Sequence, residues 1–117
     1  MNIRNYEKES IQFIEVTNNS KLKVTFANLG ASIFNIVFNG YYMTKNVKDV
    51  KDFYIPRLFH GKTIGRFSNR MRGHKFKIND QVFELEPNEG ENVLHGGVKG
   101  ISNMFFEQDV RSDDENI

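Results

Sequence analysis

Residues 60–100 read HGKTIGRFSNRMRGHKFKINDQVFELEPNEGENVLHGGVKG and carry the pattern that decides the fold. An arginine-rich segment at 65–70 precedes an apolar alternation at 74–86 that is interrupted by an Asn-Asp pair at 79–80. Both of those residue types tolerate left-handed backbone geometry, so the alternation predicts a β-hairpin with a tight turn. A glycine-rich segment at 87–100 follows and presents one histidine. Because the hairpin is short, we expect its two flanking loops to meet at one end of a sheet and to bring arginine, asparagine and histidine into one polar pocket.

Period-two alternation of apolar and polar side chains recurs on both sides of this stretch. The segments that carry it are residues 11–16, 22–26, 32–38 and 104–110. Turn residues separate them, and no convincing amphipathic helix is found. In the second segment, Lys23 and Thr25 alternate with apolar residues, which predicts a strand whose solvated face carries those two side chains. Residues 45–56 are charged and end in proline, which indicates a connecting loop. The pattern as a whole predicts an all-β, antiparallel structure.

Composition narrows the class of protein. The 117 residues are 38% hydrophobic and include 11 phenylalanines, enough for one small core rich in aromatic rings. The 16 basic and 15 acidic residues leave a formal net charge of +1, which gives no overall argument for nucleic acid or a membrane surface. The chain has no cysteine, and its three histidines lack the spacing of metal ligands. The sequence shows neither a signal peptide nor an apolar run long enough for a membrane span, so we expect a soluble cytoplasmic protein.

Three motifs follow one another without a gap in the central stretch. They are Gly65-Arg66-x-x-Asn69-Arg70, Gly73-x-x-Phe76-x-Ile78 and Asn88-x-Gly90-x-Asn92-x-Leu94-His95-Gly96-Gly97-x-x-Gly100. In this order and spacing they resemble the aldose 1-epimerase, or galactose mutarotase, family. A weaker likeness extends back to residues 28–33, while Ser68 and Phe106 stand where alanine and tryptophan are usual in the family. Members of the family also continue well beyond the length of this chain.

The resemblance implies a fold and an activity. The fold would be the N-terminal part of the galactose mutarotase-like antiparallel β-sandwich, with residues 1–117 as one incomplete domain that lacks the catalytic C-terminal part. The activity would be interconversion of the α and β anomers of free hexoses such as galactose or glucose, without a metal or an organic cofactor. In the family a glutamate base and a histidine acid come from later parts of the chain, and neither Glu107 nor Glu115 matches the base motif. We therefore expect little or no activity from this chain alone.

The resemblance also implies a sugar site. Asn69 and Arg70 match substrate-binding positions, and His95 matches a sugar-contacting histidine that assists catalysis at the ring oxygen. Arginine supplies donors and asparagine supplies both a donor and an acceptor, which suits the hydroxyl groups of a sugar. Glycines beside the histidine allow a ligand to approach closely. Without the resemblance, the residues favour a surface arginine paired with Asp80 or Glu84, and a loop histidine satisfied by local carbonyls.

Two further functional classes compete with the enzyme. The first is a non-catalytic carbohydrate-binding module that uses the same three residues. The second is a basic β-domain that binds nucleic acid through residues 62–77, which hold six basic residues and no acidic one. We favour a solvated face whose charge is balanced by the acidic residues at 80–91, with a sugar phosphate as a minor alternative ligand. The predicted partner is thus a small sugar, with no nucleic acid and no membrane.

An incomplete sandwich also predicts self-association. Cutting a sandwich part-way leaves strand edges and apolar faces uncovered, and such surfaces favour aggregation or dimerisation. The side chains expected on the uncovered sheet are Phe34, Phe38, Phe83 and Phe105.

Overall fold

The structure, a computed structural model, describes residues 1–113 and is built from antiparallel strands. Their bounds are β1 (Asn2–Lys8), β2 (Ile11–Thr17), β3 (Leu22–Ala27), β4 (Ser32–Phe38), β5 (Tyr41–Tyr42), β6 (Arg70–Met71), β7 (Lys75–Ile78), β8 (Gln81–Glu84) and β9 (Val93–Leu94). Two short 3-10 helices, Val50–Tyr54 and Ile101–Asn103, complete the regular structure of this part of the chain. Neither of these helices is long and apolar enough to cross a membrane. The predicted all-β, antiparallel class is confirmed.

The first five strands form one sheet in the order β1-β2-β3-β4-β5. Each strand pairs with the next one in sequence, and the predicted hairpin between β2 and β3 is present. The Asn39-Gly40 turn places β5 against the end of β4, with Phe38 opposite Tyr41. Strand β1 was not predicted from apolar alternation, because only Ile3 and Tyr6 of its seven residues are even partly buried.

One face of this sheet holds the main core. Phe13 is 1% exposed, and its ring lies 5.0 Å from that of Tyr6 and 4.9 Å from that of Phe34. Phe34 in turn meets Phe53 edge-on at 5.0 Å. Phe53 comes from the first 3-10 helix, so the segment expected to be only a connecting loop supplies a wall of the core.

The prediction that Thr25 lies on a solvated face is wrong. Thr25 is 1% exposed and Phe26 is 38% exposed, the reverse of the expected order. The register explains this reversal, because Ala27 lies opposite Phe13 and Thr25 shares its face. The large rings of the core leave room there only for small side chains. The other face of β2 and β3 is also apolar, since it carries Ile14, Val16 and Phe26, and these side chains border an open depression.

Residues 104–110 do not form the predicted strand. Phe105 makes an isolated bridge with Leu29, and the Phe106 N–H donates to the carbonyl of Asn28 at 2.9 Å. A strand needs a neighbour along its whole length, and in residues 1–113 the pairing of this segment ends there. The segment instead borders a depression of about 450 Å³ whose opposite wall includes Ile14, Val16 and Phe26.

The hairpin of the central stretch matches its prediction. Strands β7 and β8 pair with Ile78 opposite Gln81, which leaves Asn79 and Asp80 as a two-residue turn. Asn79 adopts the left-handed backbone angle that this turn requires, with φ at 54°. The rings of Phe76 and Phe83 stack across the pair at 5.2 Å.

Two of the four phenylalanines expected on an uncovered surface are exposed. Phe38 is 51% exposed and Phe105 is 52% exposed. Phe34 is instead packed against the main core, and Phe83 is partly covered by its partner ring.

Candidate functional site

The loops on either side of the β7–β8 hairpin come together, as predicted from its shortness. Strand β6 from the arginine-rich loop pairs with β9 from the glycine-rich loop, with Arg70 opposite Leu94 and Met71 opposite Val93. Val93 is fully buried and Leu94 is 9% exposed, so the pairing has a small apolar anchor. The side chain of Asn88 accepts from the Leu94 N–H at 2.7 Å and donates to the Leu94 carbonyl at 2.9 Å, which fixes the glycine-rich loop on itself.

A close approach of the two backbones explains one glycine beside the histidine. A Cβ atom on Gly96 would lie 1.9 Å from the carbonyl oxygen of Gly65, far inside van der Waals contact. The Gly96 φ of +90° is also unfavourable for residues with side chains. The Ile101 N–H donates to the same Gly65 carbonyl at 3.0 Å. Glycine at 96 therefore lets the two loops touch, rather than only giving a ligand room.

Asn69 and His95 bind each other through two hydrogen bonds. The His95 N–H donates to the Asn69 carbonyl, and the Asn69 N–H donates to Nδ1 of the His95 ring, both at 2.9 Å. Both residues have left-handed backbones, with φ of 67° for Asn69 and 50° for His95. Such angles are uncommon for residues with side chains and tend to occur where function constrains the backbone. The ring of Phe59 meets the imidazole edge-on at 4.8 Å and limits its rotation.

The bond to Nδ1 selects one tautomer of the neutral imidazole. A ring nitrogen that accepts a hydrogen bond carries no proton, so the proton of neutral His95 lies on Nε2. The Nε2–H group is thereby left as a donor. The arrangement presents a positioned N–H group, which can donate to an oxygen atom of a ligand.

Arg70 lies beside this pair and forms a two-pronged ion pair with Glu89. Its Nε donates to Oε1 of Glu89 in a short contact, and its Nη2 donates to Oε2 at 2.9 Å. Arg57 donates from its own Nη2 to Oε2 of the same carboxylate at 3.2 Å. The side chain of Glu89 is 17% exposed, while that of Arg70 is 49% exposed. Glu89 thus anchors one edge of the Arg70 guanidinium, and the other edge faces solvent.

The charges of this group influence one another in the expected directions. The hydrogen bond from Arg70 lowers the pKa of Glu89, and the nearby charges of Arg70 and Arg57 lower it further. The hydrogen bond to Glu89 raises the pKa of Arg70. Glu89 and Arg70 are therefore both charged throughout the neutral range.

The structure brings the three predicted site residues into one neighbourhood, but it assigns Arg70 a partner that the sequence argument did not name. The predicted alternatives were Asp80 and Glu84, and the ion pair is with Glu89. Asp80 instead pairs with Lys77 at 3.7 Å, and Glu84 contacts His74 at 3.1 Å. These contacts agree with the expectation that acidic residues balance the basic segment.

The concave apolar surface nearby is separate from these three side chains. A depression of about 610 Å³ is lined by Gly65, Arg66, Phe67, Met71, Phe76, Leu85, Gly96, Lys99, Ile101, Met104 and Phe106. Among the described residues that line it, Asn69, Arg70 and His95 are not included. Asn69 and Arg70 are exposed and His95 is half-buried, so the three side chains lie at the surface of the loops, and a polar pocket formed by them stays a prediction.

Sequence reasoning missed Glu89, Arg57 and Phe59 as neighbours of the site. Glu89 was one of several acids taken together as a charge balance, and nothing in their spacing singled it out. A signal was present in its position between Asn88 and Gly90, because the turn there fixes its backbone. Its N–H donates to the Asn92 carbonyl at 3.1 Å, and its carbonyl accepts from the Asn92 N–H at 2.9 Å.

Comparisons with known proteins show the family to which this chain belongs. The family described as Aldose 1-epimerase matches residues 12–117. The bifunctional protein gal10 of Schizosaccharomyces pombe is 32% identical over 87 residues, which are 73% of this chain and 12% of that protein. An aldose 1-epimerase of Lactobacillus helveticus is 28% identical over 85 residues, which are 73% of this chain and 66% of that protein.

A solved structure gives the same result for the fold. The galactose 1-epimerase of Lactobacillus acidophilus superimposes with a TM-score of 0.77 and 27% identity, over 97% of this chain and 35% of that one. This confirms the expected architecture, the N-terminal portion of a galactose epimerase-type β-structure. The chain spans about a third of that solved structure and about an eighth of the gal10 protein.

Proposed function

Because the chain belongs to the aldose 1-epimerase family, we propose that it binds a free hexose, such as galactose or glucose, through Asn69, Arg70 and His95. The observation that carries the proposal is the mutual hydrogen bonding of Asn69 and His95 with Arg70 next to them. This arrangement sets one N–H donor of the histidine, one free edge of the arginine and the amide of the asparagine on the same pair of loops. Sugar hydroxyls and the ring oxygen need that mixture of donors and acceptors.

The reaction that such a site serves is mutarotation. A base removes the proton of the anomeric hydroxyl while an acid delivers a proton to the ring oxygen, and the ring opens. After rotation about the carbon–carbon bond, the ring closes on its other face. In this scheme His95 donates from Nε2 to the ring oxygen and assists catalysis there, while Asn69 and Arg70 hold the hydroxyl groups.

The proposal assigns binding and assistance to this chain rather than the main proton transfers. Positioned acid and base groups each contribute on the order of 10²–10⁴-fold to a rate. We do not propose Glu107 as the base that removes the anomeric proton, because it does not match the base motif of the family. Glu115 does not match it either, and it lies outside the described residues. We therefore expect the 117-residue chain to bind hexose and to show little or no acceleration of mutarotation.

The test combines polarimetry with a binding measurement. Fresh α-galactose is followed by polarimetry with the purified chain, and galactose binding is followed by NMR shifts of the Asn69 and His95 amides. We expect saturable binding that weakens in Asn69→Ala and His95→Ala, with a mutarotation rate close to that in buffer. The control is Asn19→Ala, an exposed turn residue remote from these loops in the sequence.

The two measurements separate a chain that only binds sugar from one that also catalyses mutarotation. Binding without turnover supports the assignment of a sugar-binding part of the enzyme family, and it is also what a non-catalytic module would show. Strong acceleration that disappears in His95→Ala would instead mean that this chain contains its own acid and base. Absence of any galactose or glucose binding would end the proposal.

We also propose that the chain associates with itself through its uncovered apolar surface. The motive is the exposure of Phe38 and Phe105 together with that of Tyr41 and Tyr42, at 73% and 63%. Exposed large apolar side chains of this kind favour association. Light scattering over a range of concentrations tests the idea, and a monomer that persists at the highest concentration would contradict it.

A further inference from the structure

The second arginine contact of Glu89 suggests a role that goes beyond binding a hexose. We infer that Glu89 is a positioning residue that makes the site prefer neutral sugars over phosphorylated ones, by occupying one edge of the Arg70 guanidinium. This inference rests on the proposed hexose site. It names the property that Glu89 would give to that site.

The geometry of the ion pair shows which donors are taken. Nε and Nη2 form the side-on edge of a guanidinium, and both donate to the Glu89 carboxylate. Within the described part of the chain, Nη1 of Arg70 makes no hydrogen bond. An arginine whose side-on edge is free grips two oxygens of a phosphate in the same way that Arg70 grips this carboxylate. In this protein that edge is already filled by an internal anion.

The support for Glu89 is independent of Arg70. Its backbone is bound to Asn92 in both directions, and Arg57 holds Oε2 from another side at 3.2 Å. Apart from Arg70, the carboxylate therefore has one further donor and a fixed main chain, whereas in the described part of the chain the Arg70 side chain is anchored by Glu89 alone. The better-anchored group sets the position of the other, so Glu89 determines where the free edge of Arg70 points.

The charge of Glu89 acts differently on the two kinds of sugar. A neutral hydroxyl needs a single well-placed N–H and is little affected by the carboxylate behind it. A phosphate that approached Arg70 would meet the negative charge of Glu89 at close range, and like charges at such distances repel. Removing the carboxylate should make the Arg70 side chain more mobile, which weakens its binding to sugar hydroxyls. It should also free the Nε and Nη2 donors to bind a phosphate.

The experiment compares galactose with galactose 6-phosphate in the full 117-residue chain and in Glu89→Gln. Binding is measured by titration of the Asn69 and His95 amides, and the Arg70 Nε–H signal is recorded in parallel. From the size of exposed ion-pair effects, we expect galactose binding to weaken by about threefold and galactose 6-phosphate binding to strengthen by about threefold. The Arg70 Nε–H signal should be sharp in the native chain and broadened in the variant.

The matched control is Glu91→Gln in the same loop. Glu91 is exposed, and its replacement changes the net charge by the same amount without touching Arg70. We expect its preference for galactose over galactose 6-phosphate to stay close to that of the native chain. An equal change of preference in both variants would overturn the inference, because it would show an effect of total charge alone.

The remaining outcomes distinguish this inference from the function on which it rests. If the native chain binds galactose and Glu89→Gln leaves the preference unchanged, Glu89 has no such role and the hexose site stands. If the native chain binds no hexose, the proposed function fails and the inference fails with it, whatever the Arg70 signal shows.

Discussion

The sheet of strands β1–β5 and the paired loops around β6 and β9 are stabilised by different means. In the sheet, the four strands β1–β4 are six or seven residues long and pair along most of their length, and the rings of Phe13, Phe34 and Phe53 pack on one face. In the loops, the strands are two residues long, and the order comes from single hydrogen bonds and backbone contacts. We therefore expect the sheet to keep its structure when one side-chain contact is removed. In the loops, we expect the loss of one hydrogen bond to displace the residue that made it.

This difference suits a division of labour. A ladder with apolar packing gives a rigid support but leaves few polar atoms free. The loops bury fewer apolar side chains, and they bring polar groups of Asn69, Arg70 and His95 near one another. Binding residues commonly lie on loops held by a rigid scaffold for this reason. Substitutions in the two regions should therefore differ in size and in reach.

The largest expected effect tests whether the sheet is the source of global stability. Phe13→Ala removes a ring that is 1% exposed and touches two other rings. Such core truncations cost about 3–5 kcal/mol in the free energy of unfolding. Urea denaturation followed by circular dichroism measures it. Phe38→Ala, at 51% exposure, is the control and should cost under about 1 kcal/mol. Equal losses in the two variants would mean that the ring cluster is not the main core.

The next effect tests whether loop order depends on backbone contact. Gly96→Ala places a methyl group against the Gly65 carbonyl and should cost about 2–4 kcal/mol, from the clash and the unfavourable backbone angle. Hydrogen exchange should rise in residues 65–71 and 93–101 while strands β2 and β3 keep their protection.

Gly90→Ala separates the two causes of that loss. Gly90 has a φ of +57°, but a methyl group added there would meet no atom within 4 Å beyond its chain neighbours. Only the backbone contribution of about 1–2 kcal/mol therefore applies. If both glycine variants lose the same stability, the close approach to Gly65 contributes nothing.

A smaller effect tests the polar clamp within the glycine-rich loop. Asn88→Ala removes the two hydrogen bonds to Leu94 and leaves a poorly exposed N–H and carbonyl without partners, a loss of about 1–2 kcal/mol. Chemical denaturation measures the loss, and NMR should show the change centred on residues 93–96. Asn19→Ala in the exposed turn should change stability by less than about 0.5 kcal/mol. A silent Asn88→Ala variant would show that the loop is held by its glycines alone.

The smallest effect concerns Lys62, which packs over the ring of Phe53 beside the core of the sheet. Its side chain is 8% exposed and donates from Nζ to the Phe53 carbonyl at 2.6 Å, and burial lowers its pKa below the ordinary value of 10.5. Between the folded and unfolded pKa values the unfolded chain binds more protons, so stability rises with pH in that window. The free energy of unfolding of the native chain, minus that of Lys62→Met, should therefore increase from pH 7 towards pH 10.5. A difference that falls or stays flat would contradict this.

The two regions also differ in how far their sequence predicts them. Turn residues and period-two alternation located β2, β3, β4 and the β7–β8 hairpin, because these features are local. The burial of the Thr25 side chain was missed because it depends on the ring of Phe13 in the neighbouring strand β2. The partner of Arg70 was missed for a similar reason. Several acids lie within reach along the chain, and only the folded loop brings Glu89 to it. The resemblance predicted a shared site for Asn69 and His95, but a sequence motif carries no information about which of their atoms form hydrogen bonds.

The strand order of the sheet has a consequence for how the molecule folds. Every ladder from β1 to β5 joins strands that are neighbours in sequence, so each closes only a short loop. Contacts of this kind form early and quickly, since little chain entropy is lost before a ladder begins to gain stability. The pairing of β6 with β9 instead encloses the whole intervening hairpin. Kinetically, the sheet should appear first and the residues that would hold a sugar should become ordered last.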